Sequence, residues 1–477
     1  MVLIFTSLVI QYYSEDMYVK RVSIFLIVVA LIAGVLGCDG NRESYILTIT
    51  STPGGSVVEP GEGTFTYYAG TEVDLVAEAD EGYQFVNWYG GLLQIADYRA
   101  ATTTIVINND YYISANFAVP ILVWDWYDLN TIRDGLGGIY ILMNNLNSTT
   151  PGYEELAGPT ANQGKGWQPI GSVNGSLPEI FVGILDGGGY EICDLFINRP
   201  DEFNVGLFNS VYYQGGISNL GVVNATVTGH EWVGGLVALN VGAVSNSYSV
   251  SSVNGTHHVG GLVGSNGGTV SDSYSTGSVT GNESVGGLVG GNGGFVSDCH
   301  STSSVISEEY QAGGLGGYNS GIVSNSYATG SVSVTRTTAG GLVGENNGTV
   351  SNSYSTGSVV GEAKTGGLIG INWGTVSNSY STASVTGEVY VGGLIGLNYE
   401  NGYGIVTNSF WDTETSGQST SDGGTGKTTA KMKDIGTFSG ATWDIIAVTN
   451  TSIRNLSYIW NIVDDQTYPF LSWEPVS

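Results

Sequence analysis

The feature that most constrains this chain is a repeat of 26 or 27 residues in its central part. The segment GGLVGSN recurs with its leucine at Leu236, Leu262, Leu288, Leu315, Leu342, Leu368 and Leu394. A second segment, VSNSYSTGSV, recurs with Tyr248, Tyr274, His300, Tyr327, Tyr354 and Tyr380 at one position. A constant period, several short β-prone runs and no helical pattern predict an all-β fold, a parallel β-solenoid with one coil per repeat.

Stacking fixes what each repeated residue type has to do. Equivalent residues of neighbouring coils lie about 4.8 Å apart in a parallel sheet, so Val, Leu and Ile are expected to stack inward. The repeated asparagines, from Asn240 to Asn398, are expected to bond amide to amide along the axis. Glycine is expected at corners, where the backbone needs positive φ.

These repeats resemble the GLUG motif of bacterial and archaeal surface proteins, named for its Gly-Leu-x-Gly core. The segments GKGWQPIGS and NSFWDTETSGQSTSDGGTGKTTAKMKD resemble those that open and close such solenoids. The resemblance implies N-terminal coils and a cap over 119–203, a GLUG solenoid over 204–410 and a C-terminal cap over 411–477. Caps are expected because an open end exposes a sheet edge to other chains.

Residues 45–118 lack the central repeat and consist of short segments of alternating polar and apolar residues between turns. This pattern predicts a separate small β domain. The elements PGGSV, YYAGTEVDLVAEADEGYQFVNW and ISANF resemble the divergent internalin-type B-repeat of bacterial surface proteins. The resemblance implies a spacer or adhesive module without catalysis. Phe85 and Trp88 are interpreted as core residues, with a ligand platform as the alternative.

The N-terminal residues are predicted to form an export signal. Lys20 and Arg21 precede an uncharged apolar run, Ser23 to Gly37, that is short for a membrane span. We interpret 1–37 as the signal segment, with Met17 as an alternative start, and 38–44 as a linker. The residues before and including Cys38, VLGC, resemble a bacterial lipobox, which implies a lipid on Cys38; a plain signal peptide or an uncleaved anchor stays open.

Cysteine usage fits a protein exported without a disulfide framework, since only Cys193 and Cys299 remain beyond Cys38. Nothing in their spacing supports a bridge, although a single one is left open. The predicted location is therefore the extracellular face of the cell envelope, lipid-anchored, or the medium. The oligomeric state is left open.

The charge of the chain argues against two classes of partner, nucleic acids and acidic polysaccharides. Lys and Arg number 13 against 42 Asp and Glu, a net charge of -29, so the chain lacks the cations that neutralise nucleic-acid phosphates. Residues 204–410 contain ten acidic residues and two basic ones, Arg336 and Lys364. The solenoid is thus nearly uncharged, which disfavours acidic polysaccharides and leaves neutral glycans.

Two known catalytic motifs are incomplete in this sequence. In some immunoglobulin-cleaving bacterial proteases GLUG repeats accompany a zinc peptidase, which needs H-E-x-x-H. Here His230-Glu231 is followed at the fifth position by Gly234. A phosphate-binding loop needs G-x-x-x-x-G-K-[ST], but Ser421 occupies the first glycine position before Gly426-Lys427.

The best catalytic candidates come from the repeat. One position holds Asn246, Asp272, Asp298, Asn325, Asn352, Asn378 and Asn408. Asp272 and Asp298 are consecutive, so their carboxylates could lie about 5 Å apart, like those of a retaining glycosidase, with His300 nearby. They could instead bind Ca²⁺, or be ordinary turn residues, because Asn and Asp interchange at turns. The last interpretation is preferred, with no cofactor.

The absence of a complete catalytic set predicts a structural or adhesive role and not an enzyme. The predicted function is an envelope-anchored, surface-exposed repeat protein that binds an extracellular glycan, a surface or a partner protein. The alternative is a carbohydrate-active β-helix, a lyase or glycosidase that acts on a neutral glycan, which rests on analogy of fold.

Overall fold

The computed structural model describes residues 43–91, 94–171, 179–399 and 404–475. The chain forms two compact units, one built mainly from residues before Asn116 and the other mainly from residues after Phe117. The predicted signal segment and Cys38 lie outside the described residues. Among the described residues, no helix has the length and apolar character needed to cross a membrane.

The N-terminal unit contains two small sheets. One combines parallel and antiparallel pairing and consists of Ser44–Ser51, Gly63–Tyr68, Gln84–Tyr89 and Tyr111–Ala118. The other consists of Gly55–Glu59, Thr71–Ala79 and Thr102–Ile107. Alternating side chains of both sheets are buried, and Trp88 is fully buried with its Nε1 donating to the Ala100 carbonyl (3.0 Å). Trp88 is therefore a core residue, as predicted.

The second unit is a parallel β-solenoid, which confirms the predicted fold. Each coil runs through four sheets before the next begins. The asparagine sheet contains Phe208–Val211, Val237–Asn240, Val263–Asn266, Val289–Asn292, Gly316–Asn319, Val343–Asn346, Ile369–Asn372 and Ile395–Asn398. The seven-stranded sheet contains Glu231–Gly234, His257–Gly260, Glu283–Gly286, Ala312–Gly313, Ala339–Gly340, Ala363–Gly366 and Val389–Gly392.

The other two sheets extend beyond the repeat. The eleven-stranded sheet contains Ile121–Val123, Ile139–Leu142, Ile184–Asp186, Gly216–Ser218, Ala243–Ser245, Thr269–Ser271, Phe295–Ser297, Ile322–Ser324, Thr349–Ser351, Thr375–Ser377 and Ile405–Thr407. The fifteen-stranded sheet contains Glu191–Cys193, Phe196–Asn198, Gly221–Thr228, Tyr248–Asn254, Tyr274–Gly281, His300–Ser301, Ser304–Ser307, Tyr327–Ala328, Val332–Val334, Tyr354–Ser355, Ser358–Gly361, Tyr380–Ser381, Ser384–Thr386, Phe410–Asp412 and Thr425–Lys427.

The interior is a continuous column of aliphatic side chains, with each repeat leucine from Leu236 to Leu394 fully buried. Along the asparagine sheet, each ladder asparagine donates from Nδ2 to Oδ1 of the next, at 2.7–2.8 Å over six consecutive pairs from Asn240 to Asn398. The predicted amide ladder is confirmed. It satisfies side chains that are otherwise shielded from water.

The expectation about glycine is wrong. Within the described residues of 204–399, only Gly277 among the glycines has positive φ. The repeat glycines are needed for close packing between coils instead: a Cβ on Gly260 would lie 2.7 Å from the backbone nitrogen of Gly290 in the next coil, and one on Gly261 would overlap the carbonyl oxygen of Gly287. A side chain there would push neighbouring backbones apart.

Aromatic residues fill the N-terminal end of the aliphatic column. The helices Trp126–Thr131, Tyr153–Leu156 and Ala161–Gly164 and the 3₁₀ turn Ile132–Asp134 lie between the first strands. Trp126 and Trp167 are fully buried with ring centroids 5.6 Å apart. These large side chains join the same core as the coils.

The segment after the last coil covers the end of the solenoid and part of its side. Residues 420–422 cover the edge of the last strand, Ile395–Asn398: the Ser421 hydroxyl accepts from the Ile395 N–H (2.8 Å), and the Asp422 carboxylate accepts from the Asn398 N–H (2.7 Å). The remaining part, which we call the C-terminal segment (428–475), packs along the side of the coils. It contains helices Thr429–Met432 and Ile435–Ser439 and strands Ile445–Ala447, Trp460–Ile462 and Phe470–Leu471, after helix Thr413–Ser416.

The surface that the C-terminal segment covers is a ladder of stacked aromatic rings. Tyr248, Tyr274, His300, Tyr327, Tyr354 and Tyr380 stack with centroids 4.8–5.0 Å apart and planes within 10° of parallel. Trp460 contacts the rings of Tyr354 and Tyr380, and the Tyr380 hydroxyl donates to the Pro469 carbonyl (2.6 Å). Lateral packing therefore buries the C-terminal half of the ladder.

Candidate functional site

The repeated Asn/Asp position forms a corner between the eleven-stranded and fifteen-stranded sheets. Its residues all adopt the left-handed conformation, with φ of 44–55° at Asn219, Asn246, Asp272, Asp298, Asn325, Asn352, Asn378 and Asn408. Asn and Asp tolerate this conformation better than other residues with a side chain. The corner conformation is therefore one that both residue types can adopt.

The structure brings the two candidate aspartates to adjacent coils. Ser271 pairs with Ser297, so Asp272 and Asp298 follow at equivalent corners. Oδ1 of Asp298 accepts from Nδ2 of Asn325 at 3.3 Å. Burial, and to a smaller extent the charge of Asp272, raises the pKa of Asp298.

Asp298, but not Asp272, lines an open groove of about 360 Å³ between the coils and the C-terminal segment. Asp298 and Asn325 form the coil side of the groove. The opposite side consists of Asp444, Leu456, Ser457, Tyr458, Ile459, Ser472 and Trp473. The groove has the volume of a small-ligand site, and its walls come from two parts of the chain distant in sequence.

Trp473 fixes the two walls of the groove relative to each other. Its Nε1 donates to the Asn325 carbonyl at 3.1 Å, and its ring lies 6.2 Å from His300 and 5.7 Å from Tyr327. On the far wall, a carboxylate oxygen of Asp444 accepts from the Ile459 N–H at 3.1 Å. Both groove carboxylates are therefore held in place by neighbouring groups.

His300 is a rung of the aromatic ladder rather than a partner of Asp298. Its ring stacks between those of Tyr274 and Tyr327, at 4.9 and 4.8 Å. Its Nδ1 is buried without a hydrogen-bond partner, and burial lowers the pKa of His300 to about 4. The imidazole is neutral at neutral pH, so it supplies no charge to the groove.

Comparison with known sequences supports both resemblances. Residues 45–120 match the divergent InlB B-repeat domain, and residues 255–280, 308–334 and 335–360 match the GLUG motif. The chain carries a B-repeat domain followed by GLUG repeats. Asp298 and His300 lie in a coil between two of the GLUG matches.

Two curated relatives match part of the chain. Halomucin of Haloquadratum walsbyi is 35% identical over 113 residues, 21% of this chain and 1% of halomucin. A protein of Evansella cellulosilytica, provisionally named a Gly-rich membrane protein, is 34% identical over 130 residues, 27% of this chain and 14% of that protein. The chain therefore spans only a small part of the length of either relative.

A solved structure also aligns with the chain. A crystal structure from Bacteroides ovatus, provisionally named an immunoglobulin A1 protease, has 15% sequence identity and a TM-score of 0.42. The alignment covers 75% of this chain and 93% of the other.

The residues of the rejected motifs have structural roles. In the phosphate-loop look-alike, Gly426 and Lys427 belong to strand Thr425–Lys427, which pairs with Phe410–Asp412, and Ser421 covers the last coil. In the peptidase look-alike, Glu231 begins a strand of the seven-stranded sheet. Within the described ranges, no three or more His, Cys, Asp or Glu side chains are placed to hold a metal ion. Cys193 and Cys299 are both free thiols.

The groove offers hydrogen-bond acceptors without cations. Carboxylates of Asp298 and Asp444, the Asn325 amide and the hydroxyls of Ser457 and Ser472 surround it, and no Lys or Arg is among its lining residues. Carboxylates accept hydrogen bonds only, whereas amides and hydroxyls both donate and accept. This set suits a ligand rich in hydroxyl groups and without negative charge.

Sequence reasoning missed the far wall of the groove. Asp444, Tyr458 and Trp473 lie in a segment without repeats, and nothing in the repeat pattern predicts where that segment packs. One signal was available: three tryptophans within residues 443–473 require apolar burial, and the repeated row of five tyrosines and His300 is a surface that could supply it.

Proposed function

We propose that this chain is a surface-displayed structural or adhesive repeat protein that binds an uncharged glycan in the groove beside Asp298. The observation that carries the proposal is the groove itself. A non-repeating segment packs on coils with little charge and adds a second carboxylate, Asp444, opposite Asp298. A cleft of about 360 Å³ that is lined by polar acceptors with aromatic neighbours has the volume of a small-ligand site.

The proposed location is the cell surface. Two relatives that match part of the chain are named halomucin and a Gly-rich membrane protein, names that fit the outside of a cell. The predicted export signal and Cys38 agree with this location. In this proposal the B-repeat domain is a spacer and the solenoid presents the groove.

The competing function is glycoside hydrolysis, and one observation favours it. A glycosidase acid must stay protonated, and the pKa of Asp298 is raised by burial. His300 is a ladder rung and does not serve as a base. We therefore propose binding without turnover as the function, with hydrolysis as the alternative that the same experiment tests.

The test is a glycan array probed with the chain from residue 43 onward, followed by solution binding to each hit. Asp298→Asn is the test variant, because Asn occupies this corner in six of the eight coils and preserves its backbone conformation. Asp272→Asn is the matched control, since it makes the same change one coil away and outside the groove.

The proposal predicts binding of uncharged glycans, weakened in Asp298→Asn and retained in Asp272→Asn, with no new reducing ends after prolonged incubation. Equal affinity of the two variants would exclude the groove as the site. Release of shorter sugars by the wild type, abolished in Asp298→Asn, would establish the hydrolase instead.

A further inference from the structure

Comparison of equivalent positions in successive coils shows which exposed residues the fold does not need. At the first position of the eleven-stranded sheet, successive coils carry Gly216, Ala243, Thr269, Phe295, Ile322, Thr349, Thr375 and Ile405. Small or hydroxylated residues satisfy the fold there in five coils. Phe295, Ile322 and Ile405 are 56%, 39% and 51% exposed, so packing within the solenoid does not require them.

The adjoining corner departs from the repeat in the same way. The residue after the ladder asparagine is Val241, Gly267, Gly293, Ser320, Asn347, Trp373 and Tyr399 in successive coils. Trp373 is 38% exposed, and its ring stacks on that of Tyr399, with centroids 3.5 Å apart and planes within 5° of parallel. Together, Phe295, Ile322, Trp373, Tyr399 and Ile405 form what we call the apolar ridge.

Two residues of the apolar ridge, Phe295 and Ile322, begin strands whose other ends lie at the groove. Strand Phe295–Ser297 begins at the ridge and is followed at once by Asp298, and strand Ile322–Ser324 is followed by Asn325. At about 3.3 Å per residue, three residues separate ridge and groove by roughly 10 Å. A single extended ligand can contact both.

The surface between them is uncharged. No strand of the eleven-stranded sheet from Gly216–Ser218 to Ile405–Thr407 contains Asp, Glu, Lys or Arg. Serine and threonine side chains occupy the positions around the ridge, for example Ser297, Ser324 and Thr349. Aromatic and aliphatic groups beside hydroxyls match the alternating C–H and O–H groups of a sugar ring better than an ionic partner.

We propose that the apolar ridge is a platform for an extended, uncharged polysaccharide that continues from the groove. The proposal rests on the proposed function for its ligand class, and it adds a second contact region. A second copy of the chain is a poorer occupant. Five coils about 4.8 Å apart with three-residue strands present a face of roughly 20 by 10 Å, far below the roughly 800 Å² per partner of a stable interface.

The experiment separates polymer from oligomer. Xylan, hydroxyethyl cellulose and galactomannan are tested in affinity gels, and their tetrasaccharides are tested by calorimetry. The double variant Phe295→Thr/Ile322→Thr restores the residue found at Thr269, Thr349 and Thr375, so the fold is retained. Tyr390→Ser is the control: it removes a 57% exposed ring outside the ridge, at a position where Ser284 has the same backbone conformation.

The expected result is a loss of about tenfold or more in affinity for the bound polysaccharide in the double variant. The affinity of the double variant for the tetrasaccharide stays unchanged, and Tyr390→Ser binds both ligands as the wild type does. Unchanged polysaccharide binding by the double variant would disprove the role of the ridge and leave the groove as the binding site. If Asp298→Asn bound both the polysaccharide and the tetrasaccharide with unchanged affinity, the groove would be disproved as a binding site. Concentration-dependent dimers that the double variant abolishes would assign the ridge to self-association instead.

Discussion

Two rows of asparagine run along this solenoid, and they differ in burial and in whether Asp can replace Asn. The ladder from Asn240 to Asn372 is at most 1% exposed, and each amide both donates and accepts. The corner row is partly exposed, and its observed amide bonds to neighbouring coils are variable, at 2.6–3.3 Å. Asp never replaces Asn in the buried ladder but does so twice at the corner.

The difference teaches what each row is selected for. In the buried ladder only an amide can serve, because every rung must donate at one end and accept at the other. At the corner the side chains are partly exposed, and Asn and Asp both adopt the left-handed backbone conformation. Charge can therefore vary at the corner without loss of the fold, and a groove carboxylate can be placed there.

The largest expected effect is loss of one rung in the buried ladder. In Asn292→Asp, the Nδ2 donor to Asn319 Oδ1 (2.8 Å) and the Ile322 carbonyl (3.2 Å) is replaced by an acceptor that faces acceptors. We expect a loss of at least about 3 kcal/mol in the free energy of unfolding, measured by denaturant titration.

The matched change at the corner is Asn352→Asp. Asp already occupies this position at Asp272 and Asp298, so we expect a change within about 1 kcal/mol. Equal losses of stability in Asn292→Asp and Asn352→Asp would show that the buried ladder and the corner row tolerate Asp equally.

An intermediate effect concerns His300, two residues after the corner. Its folded-state pKa of about 4 lies below the ordinary value of 6.5. The unfolded chain therefore takes up the proton first, and stability is lost as pH falls from about 6.5 toward 4. Allowing for partial solvent screening, the loss is about 1–2 kcal/mol.

His300→Tyr restores the ladder residue and is expected to remove this acid sensitivity. The measurement is the melting temperature of both proteins at pH 7 and pH 4.5. A wild type and variant that lose the same stability between these pH values would contradict burial of a neutral imidazole.

The smallest expected effect compares the two aspartates. The pKa of Asp298 is raised in the folded protein, so the unfolded chain loses this proton first as pH rises. The carboxylate of Asp298 therefore lowers the stability of the fold above the ordinary pKa of an aspartate. Asp298→Asn is expected to gain less than about 1 kcal/mol at pH 7, after allowance for exposure. Asp272→Asn is expected to change stability by less than about 0.5 kcal/mol. A loss of stability in Asp298→Asn would show that the carboxylate makes a needed bond.

The regular part of this molecule is predictable from sequence because stacking repeats the same local problem in every coil. The period predicts the parallel sheets, the spacing of Asn240 and Asn266 predicts the amide ladder, and the B-repeat pattern predicts the first domain. The role of glycine was misjudged, because close approach between coils, as at Gly260, is invisible in one repeat taken alone.

The groove could not be predicted in full. Asp298 was identified as a departure from the repeat, but its significance depends on where residues 428–475 pack. That packing is decided by long-range contacts such as Trp473 against Tyr327 and Trp460 against Tyr354. Local periodicity contains no information about such contacts, because neither partner is near the other in sequence.

The most direct test of the central claim is carboxyl footprinting by carbodiimide labelling, with and without a bound uncharged polysaccharide. We predict that the ligand slows labelling of Asp298 and Asp444 and leaves the labelling of Asp272, one coil away, unchanged. Equal protection of Asp272 and Asp298, or protection of neither, would contradict the assignment of the groove as the binding site.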